Sequence, residues 1–328
     1  MDHKRRRVFI VGGSGFLGTE TAILLKKNSY DVYIADLLTT KNNCPKDIPF
    51  IPIDITNLYS LEGLNIKEND IIVNLASKQY HNQLNYFNRQ KQFDSVNLYG
   101  ANNLMDKAIT SKAAGYIFFS SDMVYGNPKE IPVLEDSELN PLAEYGYSKL
   151  KAEKSLIKKA KNIIPLTIFR PRLISGPGRL GIFNILFWFI QKSLPVPIIG
   201  SGNNCYQMVS VFDCANAILL AIEKDIPSKI FNLGSERKIQ IQHLINELIM
   251  YASSKSMTIP IYHNIVKPIL FCFDKIGMTI LYPEQFLIAD KNYILDINKV
   301  KRSLGWNPQF DDQQMIIQAY EHWLKLKK

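Results

Sequence analysis

Cysteines, long apolar runs and blocks of like charge are all scarce in this chain, and each scarcity removes a class of protein. Four cysteines, Cys44, Cys205, Cys214 and Cys272, are scattered without a CxxC pair and without histidines at metal-ligand spacing. A disulfide-built miniprotein is excluded, no metal is expected, and reduced thiols point to the cytoplasm. The longest apolar run, Ile182 to Ile190, carries an Asn and falls far short of the ~20 residues that a membrane span needs. The N-terminus is basic, but Val8-Phe9-Ile10-Val11 runs straight into glycines, too short for a signal-peptide core. Charged residues make up 21% of the chain against 46% hydrophobic ones, the balance of a folded globular protein.

The formal net charge is +9. Gathered into one block, such an excess would put nucleic acid or an anionic membrane first among partners. The only compact block is Lys4-Arg5-Arg6-Arg7, directly before an apolar strand, and it reads as a solvated lead-in. The other bases are dispersed, so no nucleic-acid partner is expected. A length of 328 residues suits two domains at the usual ~150 residues each.

What is present is an alternation of short β-branched runs with amphipathic stretches. Val8 to Val11, Val32 to Ala35, Ile71 to Leu75, Tyr116 to Phe119 and Leu166 to Phe169 read as buried strands. Residues 16–28, 97–113 and 147–161 read as helices. This pattern predicts an α/β fold, a Rossmann-type doubly wound parallel sheet covered on both faces. Beyond Gly176-Pro177-Gly178 the texture changes to an aromatic helix, a Pro- and Gly-rich stretch, a returning strand Ile230 to Leu233 and a mostly helical remainder ending in an amphipathic helix from Gln313 to Lys327. The predicted division is a cofactor domain over 1–178 plus about 207–237, and a smaller helical substrate domain over about 179–206 plus 238–328.

The first strand is followed by Gly12-Gly13-Ser14-Gly15-Phe16-Leu17-Gly18. Glycines at 12, 15 and 18 permit a tight turn, close approach to a pyrophosphate and close packing of helix on strand. Free amides at the start of a helix then point at the phosphates. Asp36, at the end of the second strand, stands where a carboxylate would hold the adenosine ribose hydroxyls; its charge would repel a 2′-phosphate, which favours NAD over NADP. Asp54-Ile55 follows the third strand, where contact with adenine and a turn aspartate are equally open.

Tyr145-Gly146-Tyr147-Ser148-Lys149 places Tyr145 and Lys149 at i and i+4 on one helix face. A free tyrosine titrates near ~10, so a base working at neutral pH needs its pKa lowered by about three, worth ~4 kcal/mol. An adjacent ammonium and an oxidised nicotinamide both favour the phenolate. Ser121, in Phe119-Ser120-Ser121-Asp122-Met123, follows a strand at the sheet edge where ligands of such folds bind, and a serine there can hydrogen-bond a substrate oxygen.

With these residues in view, the chain resembles the extended short-chain dehydrogenase/reductases of the NAD-dependent nucleotide-sugar epimerase/dehydratase type. The likeness covers nearly the whole length. Gly12 to Gly18 match the glycine fingerprint, Ser121 the catalytic Ser/Thr, and Tyr145 with Lys149 the YxxxK pair. Further matches are Asn74-Leu75-Ala76-Ser77, Asn97, Arg170-Pro171, Val211-Phe212-Asp213 and the turn Leu304-Gly305-Trp306-Asn307-Pro308. The resemblance implies a cofactor site of Gly12, Gly15, Phe16, Leu17, Gly18, Asp36, Asp54, Ile55, Leu75, Ala76, Ser77, Asn97, Tyr145, Lys149 and Pro171. It also implies hydride transfer at a sugar carbon, usually C4, with Tyr145 as acid/base, Lys149 tuning it and Ser121 orienting the hydroxyl. A homodimer built on residues 97–113 and 147–161 is a further implication.

Departures from the pattern bear on the substrate. Sugar 4,6-dehydratases of this type resemble Thr-Asp-Glu at the catalytic strand end, where two acids help remove water. This chain has Ser121-Asp122-Met123, and a thioether is no base, so dehydration is disfavoured. Asp122 reads either as a substrate contact or as a solvated or capping residue. Tyr206 stands where an arginine often meets the diphosphate, and Leu173 where an asparagine often meets substrate; Arg172, Arg179 and Arg237 offer replacement charges. His81 borders the site and has a pKa suited to proton transfer. An epimerase that passes through a keto sugar leads. A keto-sugar reductase, a dehydrogenase of a non-sugar alcohol such as a sterol, and a catalytically silent NAD-sensing scaffold are the competing classes.

Overall fold

The structure is a computed structural model that describes residues 6–38, 40, 44–80, 86–178, 181 and 183–327. Seven parallel strands form the central sheet: β1 (Arg7–Val11), β2 (Asp31–Asp36), β3 (Phe50–Pro52), β4 (Ile71–Asn74), β5 (Gly115–Phe119), β6 (Leu166–Pro171) and β10 (Ile230–Leu233). Their order is β10-β6-β5-β4-β1-β2-β3. The chain winds outward from β1 in one direction and from β4 in the other, so a crevice opens between the carboxyl ends of these two neighbours. β7 (Leu173–Ser175) pairs with β9 (Met208–Ser210), and β8 (Val196–Ile199) with β11 (Thr258–Ile261). The expected Rossmann-type sheet is therefore present.

The alternation of side chains along a strand explains why each apolar run is buried on both sides. Val8, Ile10, Ile71, Val73 and Ile117 enter one core, while Phe9, Val11, Ile72 and Phe118 enter the other. The first core is closed by α1 (Phe16–Lys27) and α7 (Val211–Glu223), the second by α4 (Ala101–Thr110) and α5 (Glu144–Ala160), with the short α2 (Leu58–Leu61) at its margin. Each large apolar side chain so buried contributes about 1.5–3 kcal/mol relative to exposure. A third core joins α6 (Phe183–Gln191), α8 (Ile241–Tyr251) and α12 (Asp312–Leu326) around Phe187, Leu248 and Trp323.

The remaining helices are α3 (Arg89–Asp94), α9 (His263–Lys275), α10 (Pro283–Leu287) and α11 (Asn298–Leu304). Val300, Leu304 and Trp306 pack back into the core beside α1 and α7. Asp213 fixes this return: its carboxylate accepts the amides of Gln309 (2.9 Å) and Phe310 (3.3 Å), and its carbonyl accepts the Trp306 indole N–H at 2.9 Å. Two motifs that are distant in sequence thus form one joint.

A buried polar network crosses the sheet. Arg170 on β6 donates from Nε and Nη2 to Glu153 of α5 (3.0 and 2.6 Å), and from Nη1 to the Tyr125 hydroxyl (2.8 Å). Tyr125 in turn donates to Asn232 on β10 at 2.7 Å. Removing one member of a buried pair leaves an uncompensated charge, which costs about 3–5 kcal/mol. Glu153→Ala is therefore expected to lose about that much stability, read as a lower urea midpoint, while Lys129→Ala, which breaks an exposed pair with Glu138, changes stability by less than about 1 kcal/mol.

Candidate active site

The glycine-rich turn lies at the crevice between β1 and β4. Gly12 has φ +80°, and a Cβ there would stand 2.5 Å from the Ala76 nitrogen, so the β1 turn can touch the β4 turn only as glycine. A Cβ on Gly18 would meet the Gly12 carbonyl at 2.5 Å; its absence seats α1 on the turn. Helix α1 starts at Phe16 and Leu17 with Gly15 as N-cap; no side chain caps it, and its first turn holds no acid. Its leading amides are thus left as donors for an anion.

Asp36 ends β2 with one carboxylate oxygen accepting the Ser14 amide (3.1 Å) and hydroxyl, and the other accepting the Leu37 amide (2.8 Å). The carboxylate is thereby fixed at the rim of the glycine turn. Asp54 accepts both the amide and the hydroxyl of Thr56, at 2.9 and 2.8 Å, and so builds a turn. Ile55 is buried under Gly100, where a Cβ would stand 2.7 Å from it.

Leu75, Ala76 and Ser77 follow β4 under the control of Asn97. The Asn97 amide oxygen accepts from Ser77 (3.1 Å) and the Lys78 amide (2.8 Å), and its NH2 donates to the Lys78 carbonyl (3.1 Å) and Ser148 (2.9 Å). Residues Ser95–Gly100 form a π-helical turn ahead of α4, where the sequence suggests a plain helix from 97. Such wide turns are rare and recur at functional sites, and Asn97 is wholly buried. It latches the β4 turn to α5.

The catalytic candidates converge from two elements. Ser121, at the end of β5, accepts the Met123 amide (3.2 Å) and donates to Asp122 (3.1 Å). Tyr145 and Lys149 share a face of α5, with the Lys149 Nζ 6.0 Å from the centre of the Tyr145 ring. Nζ also donates to the Phe119 carbonyl at 2.9 Å, which ties α5 to the strand carrying Ser121. Burial pushes the Lys149 pKa down to about 7, against the opposing pull of Glu153. Pro171 closes β6 beside β10.

Asp122, Arg172 and Tyr206 form one buried cluster rather than three separate contacts. Arg172 is ion-paired with Asp122 and lies between the rings of Tyr206 (4.1 Å) and Tyr293 (4.0 Å). Arg237 sits apart on the surface, 3.7 Å from Asp311. His81 and Arg179 lie outside the described residues. Among those described, no group of three or more His, Cys, Asp or Glu is placed to hold a metal ion, and no helix is long and apolar enough to cross a membrane.

Glu284, on α10, gave no sequence signal. It is buried, accepts the Gly146 amide at 2.7 Å and the Tyr80 hydroxyl, and its pKa is pushed by burial up to about 7. Tyr80 stacks on Tyr282 (3.8 Å) and tilts against Tyr145 (5.6 Å). The N-cap of α5 is Ala143, which has no side-chain acceptor, so an acid 138 residues away serves the start of the helix. The helix begins at Glu144, ahead of the expected residue 147.

A family model described as the NAD dependent epimerase/dehydratase family matches residues 8–234. The chain belongs to this family. It is 28% identical over 331 residues to a putative UDP-glucose 4-epimerase of Methanocaldococcus jannaschii, covering 97% of this chain and 98% of the relative. It is 27% identical over 339 residues to a dTDP-D-glucose 4,6-dehydratase of Mus musculus, covering 98% and 89%. The crystal structure of a UDP-glucuronic acid 4-epimerase from Bacillus cereus, in complex with NAD, superposes with a TM-score of 0.78 at 22% identity over 98% of this chain and 100% of that one.

NAD is the cofactor of the family, and the residues present fit it. The uncapped amides of α1 suit a pyrophosphate, the glycine contacts leave room for its approach, and Asp36 is fixed where ribose hydroxyls would be held.

Lys149 supplies a test that needs no substrate. Its folded pKa lies below the unfolded value, so the buried ammonium destabilises the fold at and below pH 7, and the penalty is relieved as pH rises from about 7 towards 10.5. The stability advantage of Lys149→Met over the native chain should be largest near pH 7 and shrink by about 1 kcal/mol per pH unit on the alkaline side. Paired urea titrations across that range measure it; a constant difference would refute the depressed pKa.

Proposed function

We propose that this protein is a 4-epimerase of a nucleotide sugar, working through a keto intermediate and ending each cycle with its cofactor unchanged. The observation that carries the proposal is the hydrogen bond from Lys149, one helical turn after Tyr145, to the Phe119 carbonyl, two residues before Ser121. NAD, when bound, supplies uptake and return of hydride at the sugar carbon. Tyr145 exchanges the proton of the C4 hydroxyl, and Ser121 orients that hydroxyl. Lys149, titrating near neutrality, stabilises the tyrosinate while its ammonium is present and gives up this support as pH rises.

The surroundings of Tyr145 favour epimerisation over loss of water. Met123 packs against it together with Phe93 and Tyr80, and a thioether exchanges no proton. Glu284 has both oxygens engaged, by Gly146 and Tyr80, and acts as a positioning residue. Asp122, Arg172 and Tyr206 form the substrate-side wall. The same proposal includes a substrate-binding part beyond residue 178 apart from the returning segment at about 207–237, and a homodimer paired through α4 and α5, where Tyr147 and Ile157 are exposed. It also includes a cytoplasmic setting, consistent with four cysteines in no disulfide.

Incubation with single UDP- and dTDP-hexoses should yield the C4 epimer with no net change in NADH absorbance. Stoichiometric NADH consumption with a 4-keto sugar nucleotide and no interconversion would establish a reductase instead. Tyr145→Phe should lower kcat by about 10²- to 10⁴-fold with NAD binding retained.

A further inference from the structure

A second concave site lies at the other end of the sheet from the catalytic candidates. It is a trough of about 730 Å³ between the end of α5, the entries to β6 and β10, and the start of α11. Leu166 and Ile230, which line it, are the first residues of their strands, whereas Ser121 follows the carboxyl end of β5. All these strands run parallel, so the two sites are at opposite poles. The trough falls within the ~300–1,000 Å³ of small-molecule sites. Its lining runs from the buried Leu166 and Ile168, through the half-buried Ile230, to Ile163, which is 64% exposed.

Lys161, Lys229 and Lys299 also line the trough, and no acid does. None of the three is ion-paired among the described residues. Lys159 and Lys301, each two positions along the chain from one of them, are held by Asp106 (2.5 Å) and Glu236 (2.8 Å). Lys299 acts on the titration of Glu135, but that carboxylate is engaged by the Asn232 amide at 3.0 Å. Three ammonium groups around one apolar hollow thus lack an ion-pair partner. A lysine lays its stem along apolar surface and keeps its charge in water, so the hollow has an apolar interior and a cationic rim. The Asn232 amide of β10 is already taken, which closes this strand edge to an added peptide strand.

We propose that the trough binds an anionic amphiphile, a small molecule with an apolar tail and a carboxylate or phosphate head. The tail covers Leu166, Ile168, Ile230 and Ile163, and the head is held by the three lysines. The inference is independent of the epimerase proposal, since its readout is binding at a pole away from Tyr145.

The test is calorimetric titration of the purified full chain, with NAD present, against decanoate and decyl phosphate below their micelle concentrations. Decyl maltoside carries the same tail on a neutral head. Both anions are expected to bind about tenfold or more tightly than decyl maltoside, and to weaken as salt is raised. The tighter of the two identifies the head group. Lys161→Gln/Lys229→Gln/Lys299→Gln should raise Kd for the anions about tenfold or more and leave decyl maltoside unchanged. Ile163→Asn should weaken all three ligands, and unchanged melting temperatures would show that both variants fold. Absence of anion binding by the native chain at low salt would overturn the proposal, as would equal affinity for decyl maltoside or an unaltered Kd in the triple variant. Conversion of a dimer to a monomer by Ile163→Asn, without anion binding by the native chain, would assign the hollow to a second copy and overturn it too.

Discussion

Helix α5 carries Tyr145 and Lys149 in its first turns, while its N-cap, Ala143, has no side chain that can cap it. A helix start leaves amides unsatisfied, and here they are buried in the protein instead of facing water. The Gly146 amide finds its acceptor in Glu284, from the far end of the chain. Space at that contact is tight: a Cβ at Gly146 would come within 2.6 Å of the Met123 carbonyl and 2.9 Å of Glu284. The position of Tyr145 thus depends on α10 being folded against the start of α5. Lys149 adds the second constraint, anchoring α5 to β5 through the Phe119 carbonyl. The site is complete only when sheet, helix and C-terminal segment meet.

Much of this was legible in the sequence because the informative patterns are local. Strands read as apolar runs since both faces of the sheet are covered. The spacing of Gly12, Gly15 and Gly18, and of Tyr145 and Lys149, reflects contacts within one turn or one helical repeat. What escaped detection depends on partners far apart along the chain. Glu284 looks like any surface acid until α10 brings it to Gly146. The π-helical turn around Asn97 arises from hydrogen bonds to Lys78 and Ser148, which no helix propensity encodes. Spacing leaves Asp54 open between an adenine contact and a turn; the bonds it accepts from the Thr56 amide and hydroxyl appear only in the fold. Asp122, Arg172 and Tyr206 were separate candidates, and only the fold makes them a cluster.

On α9 the buried Asp274 accepts both Nη1 and Nη2 of Arg89 on α3, at 2.9 and 2.8 Å, a pairing that divides the evolutionary duties of this helix between its two sides. Folding is secured from within, by one bidentate ion pair and the aromatic rings beside it. The outward positions are released from any part in holding the molecule together. Their sequence can drift or be selected solely by whatever they touch, so this surface can be retuned to a new environment while the geometry of α5 stays as it is.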